Sequence, residues 1–467
     1  MSNVEINAEE LETDIQNKIP LLILDLRDTS NFMEGHIEGS ANAKFSNEQQ
    51  KQAVMSRLPR NQKMVLIDED GTESSQNANM LARFGFNAHY LKGGLKSWKK
   101  DLVKSSQETA LSNENLWNSL KNNEDVFLLD VREPMEFAEF KIPGAVNVPL
   151  SELFTEKGAD QIPKNKKIVT ICSHGNRSMV ATFALAQKGL ESTSLEGGMS
   201  RWNQVLNAQT AVKQDDLIII QVEKVGKGCL SHIVGSDGEA MVIDPTYPPA
   251  KYVEFAEKEG LKITKVIDTH QHADHVSAAK ELAKMTGAEL YFSAREEYSI
   301  EHKKAHDGQS IPVGNKQIRV MYTPGHTAGS MTYVVDEVYA FVGDTLFVES
   351  IGRPDLRDKA EEFAFELHET LHNKLLNLPP DAKIFPTHHG EGIQPTENGI
   401  FYTTPKMAKQ LSLLDLSKED FVKKVVSMAT PRPMNYSMVI KVNKGTIPIM
   451  EEQVPDLEMG PNRCSVQ

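Results

Sequence analysis

Cysteine is scarce: Cys172, Cys229 and Cys464 are the three thiols in 467 residues. A small odd number makes no disulfide scaffold, so the fold must rest on an apolar core. A reducing compartment fits this usage, and the chain is expected in the cytoplasm. Basic charge is also short, with Lys and Arg at 51 against 65 Asp and Glu, a net charge of -14. That balance argues against binding to nucleic acid or to an anionic membrane surface. No apolar run approaches the ~20 residues of a membrane span. The opening residues Met1-Ser2-Asn3-Val4-Glu5 lack a basic and apolar signal region, so export is not expected. What remains is an ordinary globular composition, 39% hydrophobic and 25% charged, in a chain long enough for about three domains.

The densest chemistry is Thr269-His270-Gln271-His272-Ala273-Asp274-His275, which follows the apolar run Lys265-Val266-Ile267. Alternation puts His270 and His272 on one side of an extended segment, and Asp274 and His275 cover the next position. Incidental histidines in a polar turn would explain any one of these residues. Four together are rare as packing, because buried imidazoles and carboxylates need partners. The cluster reads as a metal site.

The first 205 or so residues contain a repeat. Leu24-Asp25-Leu26-Arg27 recurs 105 residues on as Leu129-Asp130-Val131-Arg132. Gly35 to Asn42 recurs loosely as Phe140 to Asn147, and Leu91 to Trp98 recurs 104 residues on as Leu195 to Trp202. Each unit is long enough to be a domain. Short apolar runs (Pro20 to Leu24, Met64 to Ile67, Val126 to Leu129, Lys167 to Ile171) alternate with helical patterns. Such alternation implies parallel α/β sheets. A polar stretch, Asn207 to Asp216, precedes Leu217-Ile218-Ile219-Ile220, and the next boundary is placed there. The expected domains are 1–106, 107–208 and 214–467. The last ends in an irregular tail with Pro431, Pro433, Pro448, Pro455 and Pro461, expected to wrap its domain.

In the second repeat, the strand-like run Lys167 to Ile171 meets Cys172-Ser173-His174-Gly175-Asn176-Arg177-Ser178, and Met179 to Leu190 reads as a helix. A cysteine there faces unpaired N–H groups and a helix dipole, which favour its thiolate. Gly175 lets the loop curl and Arg177 adds a cation. A buried structural cysteine is the bland alternative, disfavoured by so polar a loop. The stretch resembles the rhodanese active-site loop. The resemblance extends to Asp130-Val131-Arg132-Glu133, Ile142-Pro143-Gly144-Ala145 and Glu196-Gly197-Gly198 with Trp202. It implies that Cys172 carries sulfane sulfur as a persulfide, and that the loop amides and Arg177 hold the anion. A Cys/Arg phosphatase is the nearest rival, but the four residues between Cys172 and Arg177 are one fewer than its loop usually has.

The first repeat departs from this pattern. Matching Trp98 to Trp202 puts Asp68 where Cys172 stands, within Ile67-Asp68-Glu69-Asp70-Gly71-Thr72. A carboxylate cannot carry sulfane sulfur. This copy resembles an inactive rhodanese domain, with packing, dimerisation or docking as its expected role.

Beyond the opening cluster come Thr323-Pro324-Gly325-His326-Thr327, Gly343-Asp344-Thr345-Leu346-Phe347 and Pro386-Thr387-His388-His389-Gly390, each after a strand-like run. Loops at strand ends are where such folds build sites. Together these motifs resemble the metallo-β-lactamase superfamily, which implies an αβ/βα sandwich. Two branches compete. Glyoxalase II-like hydrolases use two metals, zinc being the alternative cofactor here, and all ligand types are present: His270, His272, Asp274, His275, His326, Asp344 and His388. Persulfide dioxygenases hold one Fe(II), and carried over its ligands are His270, His326 and Asp344. His272, Asp274, His275 and His388 then lie around that set.

Ile351-Gly352-Arg353-Pro354-Asp355-Leu356 and the closing Gly460-Pro461-Asn462-Arg463-Cys464 look like the persulfide dioxygenase version. Arg353 either orients an anionic thiol substrate or holds its loop. Cys464 lies near the site or in a packed tail, and Cys229 reads as structural. A rhodanese fused to a persulfide dioxygenase can couple two steps of sulfur chemistry, whereas a glyoxalase has no such reason to be fused. The resemblance therefore implies Fe(II)- and O₂-dependent oxidation of a low-molecular-weight persulfide to sulfite, coupled to sulfur transfer among persulfide, sulfite and thiosulfate. A homo-oligomer is expected.

Overall fold

Leu21–Asp25 is buried at all five positions, as a parallel strand covered on both faces should be. It is one of five strands in the first repeat of this computed structural model: β1 (Glu5–Ile6), β2 (Leu21–Asp25), β3 (Ser40–Asn42), β4 (Lys63–Ile67) and β5 (Ala88–Leu91). The structure describes residues 4–465 except 18, 20, 44–57, 59, 105–109, 154–157, 159, 355–358, 391, 429–434 and 461. Pro20, Asp355, Leu356, Pro431, Pro433 and Pro461 lie outside the described residues. The chain divides into two units, Met1–Trp202 and Asn203–Gln467.

In the first unit the sheet order is β1-β5-β4-β2-β3, all parallel. The second repeat supplies β6 (Ala110–Leu111), β7 (Val126–Asp130), β8 (Val146–Asn147), β9 (Lys167–Ile171) and β10 (Ser192–Leu195). Its order, β6-β10-β9-β7-β8, is the same and again parallel. The repeated Asp-x-Arg acts identically in both copies. Arg27 forks onto Asp25 and donates to the Gly35 carbonyl, while Arg132 forks onto Asp130 and donates to the Phe140 carbonyl. The two copies also share one apolar core. Leu22, Leu24 and Leu66 of the first join Leu129, Val180 and Leu185 of the second in a single buried cluster.

The second unit is a sandwich of two mixed sheets. One sheet runs in the order β11 (Leu206–Lys213), β12 (Ile218–Lys224), β13 (Cys229–Ser236), β14 (Glu239–Ile243), β15 (Lys262–Ile267), β16 (Glu289–Ser293) and β17 (Lys303–Ala305). The other runs β18 (Ser310–Val313), β19 (Lys316–Tyr322), β20 (Met331–Val335), β21 (Tyr339–Phe341) and β22 (Lys383–Phe385). Alternation sends Ile219, Val234 and Ile243 inward against Ile318, Val320 and Tyr333. Their neighbours Ile220, Ile233 and Val242 face the helices Ala250–Lys258 and Ala279–Thr286. On the other sheet, Val334, Ala340 and Ile384 face the helices Ala360–Asn373 and Lys418–Ser427. This is the αβ/βα layering expected. The polar stretch Asn207–Asp216, placed at a domain boundary from sequence, instead contains most of β11, antiparallel to β12. Its residues are mostly half-buried because it lies at the sheet edge, so its sequence lacks an apolar run.

Candidate metal centre and thiol loop

Four loops at strand ends converge in the second unit. Asp268 to His275 follow β15, His326 follows β19, Asp344 follows β21 and His388 follows β22. His270, His326 and Asp344 bring one ligand atom each to within 4.8 Å of one another. The Nε2 atoms of His270 and His326 lie 3.6 and 3.5 Å from one carboxylate oxygen, Asp344 Oδ2. That oxygen is buried without a hydrogen-bond partner. An orphaned carboxylate oxygen facing two imidazole nitrogens fits a bound cation, since burial without one is costly.

The ring tautomers fit as well. His326 Nδ1 lies 2.9 Å from the Arg353 carbonyl, which can only accept, so Nδ1 carries the proton and Nε2 presents its lone pair. Burial pushes His326 down to about 3 despite the facing Asp344, so the ring is neutral. His270 Nδ1 lies 2.9 Å from Thr269 Oγ1, whose hydroxyl lies 2.9 Å from Asp244 Oδ2. The hydroxyl donates to the carboxylate and accepts from His270, leaving Nε2 unprotonated. Gly343 permits this packing: with φ +59°, a Cβ there would stand 2.5 Å from Thr269 Oγ1. Asp344 Oδ1 accepts from Thr387 Oγ1 at 2.9 Å and His388 Nδ1 at 2.6 Å. Burial opposes its charge, but the His388 ring beside it holds it well below the usual carboxylate range.

The other candidates separate into two groups. His272 turns its Nε2 to Asp244 Oδ1 at 3.0 Å and stays outside the triad. Asp274, His275 and His388 form a second cluster with Cys229. Cys229, read from sequence as packing, starts β13 and lies 3.6 Å from Asp274 Oδ2. Burial opposes its thiolate, yet His388 and His275 bring it down to about 7. His388 Nε2 is 2.9 Å from Asp274 Oδ2 but is not aligned with it as a hydrogen bond.

The tail closes over this region. Cys464 joins Asp344 and His388 in a third group, and burial beside Asp274 and Asp344 keeps its thiol protonated. Arg353 is buried, and its guanidinium donates to the Arg463 carbonyl at 3.2 Å while its backbone N–H donates to the Cys464 carbonyl at 3.0 Å. These contacts favour the loop-holding alternative for Arg353. Sequence reasoning missed Asn443 and Glu458. Asn443 Nδ2 donates to the carbonyls of His272 and His275 at 3.0 and 2.9 Å, and its Oδ1 accepts from Ser277 N. Glu458 Oε1 accepts from Val276 N at 2.8 Å, and its other oxygen pairs with fully buried Lys224 at 2.5 Å. No local pattern marks either residue, because both act across more than 160 residues of chain.

In the first unit, Cys172 follows the last residue of β9, in the loop before the helix Asn176–Gln187. Its Sγ accepts from Gly175 N at 3.1 Å and Ser178 Oγ at 3.4 Å. Gly175 turns the loop at φ +90°. Gly198 closes it, since a Cβ there would meet the Cys172 carbonyl at 2.1 Å. Arg177 is not aimed at an open anion site. Both terminal nitrogens lie 2.8 Å from the Glu136 carboxylate. In the first repeat Asp68 occupies the matching place, accepting from Gly71 N and Glu73 N at 2.6 Å each and from Ser74 Oγ at 2.8 Å.

Comparison with known proteins gives the same division. The Rhodanese-like domain model matches residues 7–101 and 112–205, and the Metallo-beta-lactamase superfamily model matches residues 226–388. Mitochondrial persulfide dioxygenases ETHE1 of Bos taurus and Homo sapiens are each 30% identical to this chain, over 213 and 215 residues. Each alignment covers 44% of this chain and 78% of the relative. A probable polyketide biosynthesis zinc-dependent hydrolase of Bacillus velezensis, BaeB, is 28% identical over 158 residues, 33% of this chain and 68% of that protein. The crystal structure of ETHE1 from Myxococcus xanthus is 26% identical with a TM-score of 0.45, covering 49% of this chain and 99% of that one.

Proposed function

The chain belongs to the persulfide dioxygenase family of the metallo-β-lactamase superfamily, with two rhodanese-like domains ahead of it, and from that premise we propose a bifunctional sulfur enzyme. Its second unit oxidises a low-molecular-weight persulfide, such as glutathione persulfide, with O₂ and water to sulfite and thiol. The observation that carries this reading is the unpartnered Asp344 Oδ2 facing the Nε2 atoms of His270 and His326. Two nitrogens and one carboxylate oxygen suit a single ferrous ion, which when bound would supply redox activation of O₂ and persulfide sulfur. The chain's own groups hold that set ready. Thr269 and the Arg353 carbonyl fix the two imidazole tautomers, and Thr387 and His388 occupy the second oxygen of Asp344. Arg353 acts as a positioning residue through His326 and the tail.

Cys172 is the sulfur carrier of the first unit. Its Sγ accepts from the Gly175 N–H and the Ser178 hydroxyl at the start of the helix. It exchanges sulfur among persulfide, sulfite and thiosulfate. The first repeat contributes packing rather than chemistry.

A second reading is a di-zinc thioester hydrolase. The Cys229, Asp274, His275 and His388 cluster favours it, because it offers a second set of ligand types beside the triad. Metal content and O₂ uptake on glutathione persulfide separate the two. About one iron per chain, with O₂ consumed and sulfite released, is expected. About two zinc ions per chain, thioester cleavage and no O₂ uptake would replace the oxygenase reading with the hydrolase.

A further inference from the structure

We propose that Glu136 sets which sulfur donors Cys172 accepts. By occupying Arg177 it slows exchange with thiosulfate and sulfite and leaves organic persulfides and thiols as the fast partners. The inference rests on the reading of Cys172 as a sulfur carrier.

The loop from Cys172 to Ser178 holds one permanent cation, Arg177. Its side chain is 7% exposed, and that of its partner Glu136 is 30% exposed. Both terminal nitrogens of Arg177 lie 2.8 Å from Glu136, and one is also 2.9 Å from Ser173 Oγ. Glu136 is itself fixed, because Glu133 N donates to Oε2 at 3.1 Å and Ser173 Oγ lies 2.9 Å from Oε1. A bidentate fork used this way offers little to an incoming anion. The Gly175 N–H and the Ser178 hydroxyl that donate to Cys172 Sγ are neutral.

Thiosulfate carries two negative charges and places sulfonate oxygens next to the sulfur to be transferred. An Arg–Glu pair of zero net charge does not compensate them, and the Glu136 carboxylate repels them. An organic persulfide brings at most one charge at its reacting end and no oxygens there. The Cys172 thiolate attacks the outer sulfur of R–S–SH. The new Sγ–S bond forms as the R–S to S bond breaks, R–S⁻ departs and takes up a proton from solvent, and no oxidant is consumed. Thiosulfate cleavage and sulfite capture share one transition state, so the Glu136 effect acts on both directions alike.

The test uses the full chain with cyanide as acceptor and compares kcat/KM for thiosulfate and for glutathione persulfide. Glu136→Gln keeps the side-chain shape and removes the charge, and should raise the thiosulfate-to-persulfide ratio at least about tenfold. Glu136→Asp, which keeps the charge, should stay close to the wild-type ratio. A ratio unmoved in Glu136→Gln, or equal losses with both donors, overturns the inference while leaving Cys172 as the carrier. Wild-type protein that moves sulfur from neither donor overturns the carrier reading and the inference together.

Discussion

In the second repeat the chain turns at Gly175 and wraps its amides around the Cys172 sulfur. In the first it turns at Gly71, with the same φ of +90°, and wraps them around the Asp68 carboxylate. Ser178 and Ser74 reach the same point from one turn into each helix, at 3.4 and 2.8 Å. The two cradles are the same device, since each points a backbone N–H and a serine hydroxyl at one acceptor at a helix start. What differs is whether that acceptor can carry cargo. A thiolate can take and surrender sulfur, whereas a carboxylate that accepts three N–H groups and a hydroxyl fills the cradle permanently. The cation is lost along with the thiol, because Glu73 stands where Arg177 does.

The comparison breaks first at the thiol. Cys172→Ser should lower sulfur transfer to cyanide by on the order of 10³ or more. O₂ uptake with supplied persulfide should persist, and its loss in a variant that still binds iron would mean the two units do not work separately. Next comes stability. Asp68→Ala strands the Gly71, Glu73 and Ser74 amides and should cost about 2–3 kcal/mol, read as a fall in Tm of roughly 5 °C or more. Cys172→Ala should cost less than about half of that, because bonds to a sulfur acceptor, such as those from Gly175 N and Ser178 Oγ, are weaker than those to a carboxylate. Equal losses would show that both cradles are mainly structural.

The smallest effect concerns acid. Burial works against the charge of Glu136, but Arg177 brings it from 4.5 down to about 2. A depressed carboxyl contributes stability that is fully present above its unfolded value and is lost as pH falls through the folded one. The Tm advantage of wild type over Glu136→Gln should therefore be full near neutrality and shrink between about pH 4.5 and about 2. An advantage unchanged across that window would remove Arg177 as the cause.

Features that sequence displays are those made by neighbours in the chain. Strand, turn and helix around Cys172 are consecutive, and the triad of His270, His326 and Asp344 lies in three loops that each follow a strand. Closure between distant segments leaves no local pattern. Arg177 meets Glu136 across 41 residues, so the loop's cation looked available when it was not. Cys229 sat in an apolar run and read as packing, although its companions Asp274, His275 and His388 arrive from other loops. The edge strand β11 was hidden for a different reason: a half-exposed strand at a sheet edge needs no apolar run.

The shared core of the first unit bears on what the first repeat is for. Leu22, Leu24 and Leu66 line the same interior as Val180 and Leu185, which lie on the helix that begins at the Cys172 loop. A repeat without the thiol would be dispensable if the thiol's chemistry were its sole use. Here its deletion would uncover the helix that begins at the Cys172 loop, so the second repeat depends on the first through packing alone.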